Sequence, residues 1–199
     1  MRAETGTPTT RVATLANLPN ALTLLRIAAI PMIVWLLHRP TRAGSLAAFF
    51  IFFVASITDF FDGYLARRYG LITPLGKLLD PLADKLLIVS ALLMIAVGSR
   101  VPTFPAWLLV IIIGRELAVT GLRSIAASEG IVLAAEGTGK LKMTLQIVGV
   151  HCLILHDRYF GINFYDVGMI TIFVATVLAV WSAVDYHVTV FRQLVARRD

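Results

Sequence analysis

Apolar residues in this chain come in long runs, not at the alternating spacing of half-buried strands. The runs are Asn20–Leu37, Leu46–Tyr64, Asp80–Val97, Phe104–Leu122, Leu141–Leu155 and Val167–Tyr186. Most approach the roughly 20 residues a helix needs to cross the hydrocarbon core of a bilayer. Helix-stopping residues lie between them: Arg39-Pro40, Gly70 to Gly76, Pro102 and Pro105, Gly137-Thr138-Gly139, and Gly161. The pattern predicts an all-α integral membrane protein with six transmembrane helices. The fifth run is short and holds Gln146 and Gly149, which weaken it. No internal repeat or low-complexity segment is visible.

Three parts follow from this pattern: an N-terminal segment over 1–19, one six-helix domain over 20–190 and a basic tail over 191–199. Thr10–Leu18 suits either a short helix lying in the membrane interface or a loose tail. The opening MRAETGTPTTRVAT is polar and has no apolar core, so no cleavable signal peptide is expected.

Composition agrees with the pattern. Of 199 residues, 58% are hydrophobic and only 15% charged, against about 25% charged in an ordinary soluble domain. A disordered tail protein, a fibrous repeat and a typical cytosolic enzyme are all excluded. Cys152 is the only cysteine, which excludes an intrachain disulfide and a CxxC zinc site. The net charge of +6 sits between apolar runs, where it reads as topogenic charge and not as a nucleic-acid surface. With the N-terminus inside, one side collects Arg2, Arg11, Arg67, Arg68, Lys77, Lys85, Arg123, Lys140, Lys142, Arg192, Arg197 and Arg198. The other side keeps Arg39, Arg42, Arg100 and Arg158. Both termini are then expected on the cytoplasmic face of a cell (inner) membrane.

The chemistry concentrates in Thr58–Lys85. Asp59 and Asp62 are three apart on one helix, and Asp80 and Asp84 four apart on the next, so each pair shares a helix face. The turn between them makes the helices antiparallel neighbours, and the acidic faces can meet. Carboxylates gathered near lipid repel one another, and divalent cations relieve that repulsion. Hard oxygen ligands suit Mg²⁺ or Mn²⁺, usually shared with substrate phosphates. Gly63 and Gly76 permit close approach, and Arg67 is a planar donor for phosphate oxygens. Taken singly, each residue has an ordinary reading: a helix cap or dipole charge for Asp80 and Asp84, topogenic charge for Arg67, helix packing for Gly63 or Ala66. Taken together, they describe a site for a pyrophosphate-containing substrate and metal-assisted displacement at phosphorus.

The order Asp59-x-x-Asp62-Gly63-x-x-Ala66-Arg67, eight residues, then Gly76-x-x-x-Asp80-x-x-x-Asp84 resembles the signature of the CDP-alcohol phosphatidyltransferase family. It fixes eight positions within 26 residues. The resemblance implies six transmembrane helices, a homodimer, and displacement of CMP from a CDP-linked donor by an alcohol, with two divalent ions. It further implies that Asp59, Asp62, Asp80 and Asp84 bind Mg²⁺ or Mn²⁺ and that Asp84 is the general base. Gly63, Ala66, Arg67 and Gly76 would shape the CDP-donor pocket, at the cytoplasmic interface.

The acceptor is read from other segments. Arg115 and Glu116 interrupt an apolar run, which is costly without a purpose. The alternative is a buried Arg115–Glu116 packing pair with topogenic Lys140 and Lys142, as fitting for each lysine as substrate contact. Adjacent helical residues point about 100° apart and are expected to pair poorly, which favours a pocket for Arg115. With Arg123, Lys140 and Lys142 it would form a cationic site for an acceptor phosphate. Asn20 and Thr23 could border the nucleotide, along with Arg26, although capping and snorkelling account for Asn20 and Arg26 nearly as well. The pieces NLPNALTLLRIAAIP, REL-x-VTGLR and GTGKLKM-x-LQ are similar to the branch of the family that uses glycerol 3-phosphate. Met143 stands where that branch often has Thr. The implied reaction joins CDP-diacylglycerol and glycerol 3-phosphate to give phosphatidylglycerophosphate and CMP. Alternative acceptors are phosphatidylglycerol and inositol phosphate, and a small divalent-cation transporter is the non-enzyme alternative. His38, His151, His156 and His187 show no metal spacing and receive no role.

Overall fold

The computed structural model describes residues 18–39, 41–69, 74–99, 101–129 and 137–195; within these, the side chains of 18–20, 59–69, 74–78, 137–140 and 194–195 fall outside the described set. The structure is all-α apart from one small hairpin. In chain order it has α1 Leu18–His38, α2 Arg42–Tyr69, α3 Pro74–Val97, α4 Ala106–Ser128, α5 Gly137–Leu155, β1 Arg158–Tyr159, β2 Ile162–Asn163 and α6 Phe164–Val195. Thr10–Leu18 lies almost wholly outside the described residues.

The six helices coincide with the six apolar runs, but most extend past them into polar sequence. Pro74 opens α3, where a missing backbone N–H costs nothing because the first turn has no acceptor for it. Gly76 is therefore helical. Gly137 to Gly139 likewise begin α5 instead of separating two elements. At the other end, α6 runs to Val195 and takes in the first residues of the expected tail.

Contacts within the chain gather into two compact units, Met1–Ser90 and Ala91–Asp199. In the first unit α1 packs on α2, with Ile33, Leu37, Ala48 and Phe52 fully or almost fully buried. In the second, α6 packs on both α5 and α4. The α5–α6 contact is tight. A Cβ on Gly149 would lie 2.7 Å from Ile172 Cγ1, and one on Gly168 would lie 2.8 Å from Leu153 Cγ. Gly149, which weakened the fifth run as an apolar pattern, is what lets α5 approach α6 so closely.

The connection between α5 and α6 is a two-residue hairpin in which Tyr159 pairs with Ile162. Phe160 and Gly161 both have positive φ, 53° and 80°, which suits the twist of a primed turn. Asn163 then caps α6, its side-chain oxygen accepting from the Tyr165 N–H.

Large apolar side chains point outward on both units: Met32, Trp35 and Phe50 in the first, Val110, Leu117, Ile170, Trp181 and Phe191 in the second. Such apolar exposure suits lipid better than water. Among the described residues, α1 and α6 are long and apolar enough to cross a membrane, over Ala21–His38 and Phe164–Gln193. Charged residues interrupt the other four helices. Asp59, Asp62, Arg67, Asp80, Asp84, Arg115, Lys140 and Lys142 are among these interruptions, and they are the residues the sequence selects for chemistry.

Candidate active site

In the first unit the signature spans the C-terminal part of α2 and the N-terminal part of α3. Asp59, Asp62, Gly63, Ala66 and Arg67 lie on α2 and Gly76 on α3, with side chains outside the described set. Asp80 and Asp84 are described, and both are partly buried. They stand within α3, beyond its first turn, because the helix already begins at Pro74. A cap or dipole-stabilising role belongs to the first turn, so the ordinary reading of these two residues falls away. Pro81 sits between them, inside the helix, where it cannot donate a backbone hydrogen bond.

Thr23 supplies a contact that links α1 to the signature. It is 1% exposed, and its hydroxyl donates to Asp80 Oδ1 across 57 residues of sequence. A hydroxyl bonded to one carboxylate oxygen fixes the carboxylate's orientation and leaves the other oxygen for a ligand. Three residues on, Arg26 is equally buried and donates its Nε to the Ala55 carbonyl at 3.4 Å. The snorkelling expectation for Arg26 is thus corrected: the guanidinium lies between α1 and α2. The side chain of Asn20 is outside the described set.

Beside Arg26 runs an apolar groove of about 410 Å³ between α1 and α2, walled by Leu25, Met32, Phe50, Val54 and Thr58. Thr58 directly precedes Asp59.

The second unit holds the cationic candidates. Arg115 Nη1 lies 2.6 Å from Glu116 Oε1, and Lys142 Nζ lies 2.9 Å from the same oxygen. Arg115 Nε also donates to the Ala179 carbonyl at 2.9 Å. The expectation that Arg115 and Glu116 pair poorly is corrected. Two long side chains leave one helix about 100° apart, but both can turn into a common space. Here the Ala179 carbonyl of α6 and Lys142 of α5 draw them there. Arg123, two turns along α4, is exposed, and no ion pair joins it to this cluster among the described residues. The Lys140 side chain is outside the described set.

Glu116 and the Ala179 carbonyl are members of this cluster that sequence reasoning did not select. The signal for Glu116 was present, an acid in an apolar run. The backbone carbonyl had no signal at all.

The model of the CDP-alcohol phosphatidyltransferase family matches residues 16–181, which include the whole signature and five of the six helices, with most of the sixth. The chain belongs to that family. Among curated relatives it is similar to the CDP-diacylglycerol–glycerol-3-phosphate 3-phosphatidyltransferase of Bacillus subtilis (strain 168), with 40% identity over 182 residues, 85% of this chain and 93% of the relative. Proteins of the same name from Rickettsia bellii (strain RML369-C) and Shigella flexneri are 39% and 37% identical, each over 85% of this chain.

The family is membrane-associated and uses divalent metal ions. Asp80 and Asp84 fit that use: hard oxygen donors one turn apart, free of any capping role, one of them oriented by Thr23. Among the described residues no group of three metal-ligating side chains gathers; the side chains of Asp59 and Asp62 lie outside the described set.

Proposed function

We propose that the chain transfers a phosphatidyl group from CDP-diacylglycerol to glycerol 3-phosphate, forming phosphatidylglycerophosphate and releasing CMP. The observation that carries this reading is the activity for which the relatives are named, at 37–40% identity across 85% of the chain. The intact signature supports the donor chemistry, and the Arg115–Lys142 cluster supports an acceptor that carries a phosphate.

In this reading Asp59, Asp62, Asp80 and Asp84 would hold two Mg²⁺ or Mn²⁺ ions. A divalent ion, when bound, neutralises the donor pyrophosphate and stabilises the departing CMP. The remaining work belongs to the chain. Asp84 accepts the proton of the acceptor hydroxyl as its oxygen bonds to the phosphorus that carries diacylglycerol and the bond to CMP breaks. Thr23 and Asn20 border the donor, while Gly63, Ala66, Arg67 and Gly76 shape its pocket. Arg115, Arg123, Lys140 and Lys142 attract the acceptor phosphate. The apolar groove beside Thr58 offers the donor's acyl chains a surface next to the signature in sequence.

The same reading gives six membrane-spanning helices, a homodimer, and a multi-pass protein of the cell (inner) membrane with both termini and the site on the cytoplasmic face. The charges within α2 to α5 are then functional interruptions of spanning helices.

The test is CMP release from CDP-diacylglycerol by purified protein with Mg²⁺ or Mn²⁺. Glycerol 3-phosphate, inositol phosphate and phosphatidylglycerol are compared as acceptors. Release that depends on glycerol 3-phosphate and disappears in Asp84→Asn is expected. Release with another acceptor alone would overturn the acceptor assignment and keep the chemistry.

A further inference from the structure

Arg115 and Lys142 approach the same oxygen of Glu116, at 2.6 and 2.9 Å. Their side chains are only 8% and 13% exposed, and that of Glu116 is 24% exposed. Among the described residues, this one carboxylate faces two cations, which leaves a positive charge over within largely apolar helices. Charge in such a place is costly unless an anion completes it.

The geometry also resembles what a phosphate meets. Guanidinium and ammonium donors converging on a single oxygen are how proteins commonly hold one oxygen of a phosphate. Arg115 does not rely on Glu116 for its orientation, because Ala179 of α6 holds its Nε. Removing the Glu116 charge therefore leaves that guanidinium in place.

We propose that Glu116 is the specificity-determining residue of the acceptor subsite. Its carboxylate occupies the position of a phosphate oxygen between Arg115 and Lys142, and gives way only to a ligand more negative than itself. A phosphate monoester, with charge near −2 at neutral pH, meets that condition. A phosphodiester such as phosphatidylglycerol, with one negative charge, does not. An uncharged polyol meets it still less. The inference rests on the reading of Arg115 and Lys142 as acceptor ligands, and it deepens that reading by explaining how other alcohols are refused.

The experiment uses the full-length enzyme and two competitors of glycerol 3-phosphate: inorganic phosphate and the monoanionic diester dimethyl phosphate. In wild type, inorganic phosphate competes with the acceptor and dimethyl phosphate does so poorly. Glu116→Gln keeps the size and an acceptor oxygen but removes the charge. It is expected to narrow the ratio of the two inhibition constants about tenfold and to lower the acceptor KM while the donor KM holds. An unchanged ratio in folded variant would overturn the proposal, as would a parallel rise in both KM values.

Should Glu116→Gln fail to fold, Lys142→Gln reads the same site. It leaves Arg115 and Glu116 as a neutral pair, so inhibition by inorganic phosphate is expected to weaken about tenfold. Unchanged inhibition there counts against the proposal equally. Failure of the underlying function shows itself separately, as wild-type CMP release that does not depend on glycerol 3-phosphate.

Discussion

The acidic residues of the first unit and the cations of the second are both charges set in apolar helices, but they are assembled differently. Asp80 and Asp84 share one turn of α3, and their spacing is a property of the helix itself. The tertiary contact from α1 is the Thr23 hydroxyl on Asp80. Arg115, Glu116 and Lys142 come from two helices, with a backbone carbonyl from a third, and the carboxylate offsets one of the two positive charges. Carboxylates one turn apart repel, and a bound divalent cation would relieve that repulsion. The cationic cluster already holds its counter-ion and asks an incoming anion to compete. The first arrangement suits obligatory chemistry, the second selection between substrates.

That contrast ranks the consequences of substitution. Asp84→Asn is expected to lower CMP release about 100- to 10,000-fold, the usual contribution of a positioned base. Binding of CDP-diacylglycerol should survive. Single-turnover CMP release together with donor binding measures both, and near-wild-type turnover would remove Asp84 from its assigned role. Thr23→Val comes next. Losing an outer partner of a metal-binding carboxylate typically costs roughly 10- to 100-fold in metal affinity or activity. Titrating Mn²⁺ against the variant should show the loss, and Thr23→Ser, which keeps the hydroxyl, should restore most of it. A valine variant with wild-type metal affinity would reduce the Thr23–Asp80 contact to packing.

On the cationic side the effects should be smaller and confined to one substrate. Arg115→Ala removes a charged donor and is expected to raise the acceptor KM on the order of tenfold, with little change in donor KM. Equal changes in both would mark Arg115 as a scaffold for α4 against α6, through its bond to Ala179, and not as a substrate contact.

The same contrast explains how much was legible in the sequence. Six helices could be read because lipid-facing apolar runs need no partner to declare themselves. The signature could be read because residues four apart, as Asp80 and Asp84 are, share a helix face by geometry alone. Other features depend on tertiary packing and escaped. Thr23 meets Asp80 from 57 residues away. Lys142 reaches Glu116 across 26 residues, and Arg115 reaches Ala179 across 64. The rule about neighbouring helical residues misled at Arg115–Glu116, because it describes where side chains leave the helix and not where long ones end. The helix ends were also misjudged at Gly76 and Gly137, since glycine tolerates a first helical turn as readily as a loop.

The smallest expected effect concerns packing alone, and it checks that the differences above are chemical. At Gly149 an added Cβ would meet Ile172 Cγ1 at 2.7 Å, Cδ1 at 2.9 Å and the Ile172 backbone nitrogen at 3.2 Å. Ile172 is fully buried and has little room to move, so Gly149→Ala should cost about 1–3 kcal/mol through overpacking. At Gly121 on α4 an added Cβ meets nothing within 4 Å. There the same substitution should add about 0.5–1 kcal/mol, because alanine loses less backbone freedom than glycine on entering a helix. Melting temperatures in detergent should move in opposite directions for the two variants. KM for donor and acceptor should stay unchanged in the folded fraction of Gly149→Ala. A selective rise in acceptor KM in that variant would mean that the α5–α6 contact sets the position of Lys142, and the line drawn here between packing and selection would have to move.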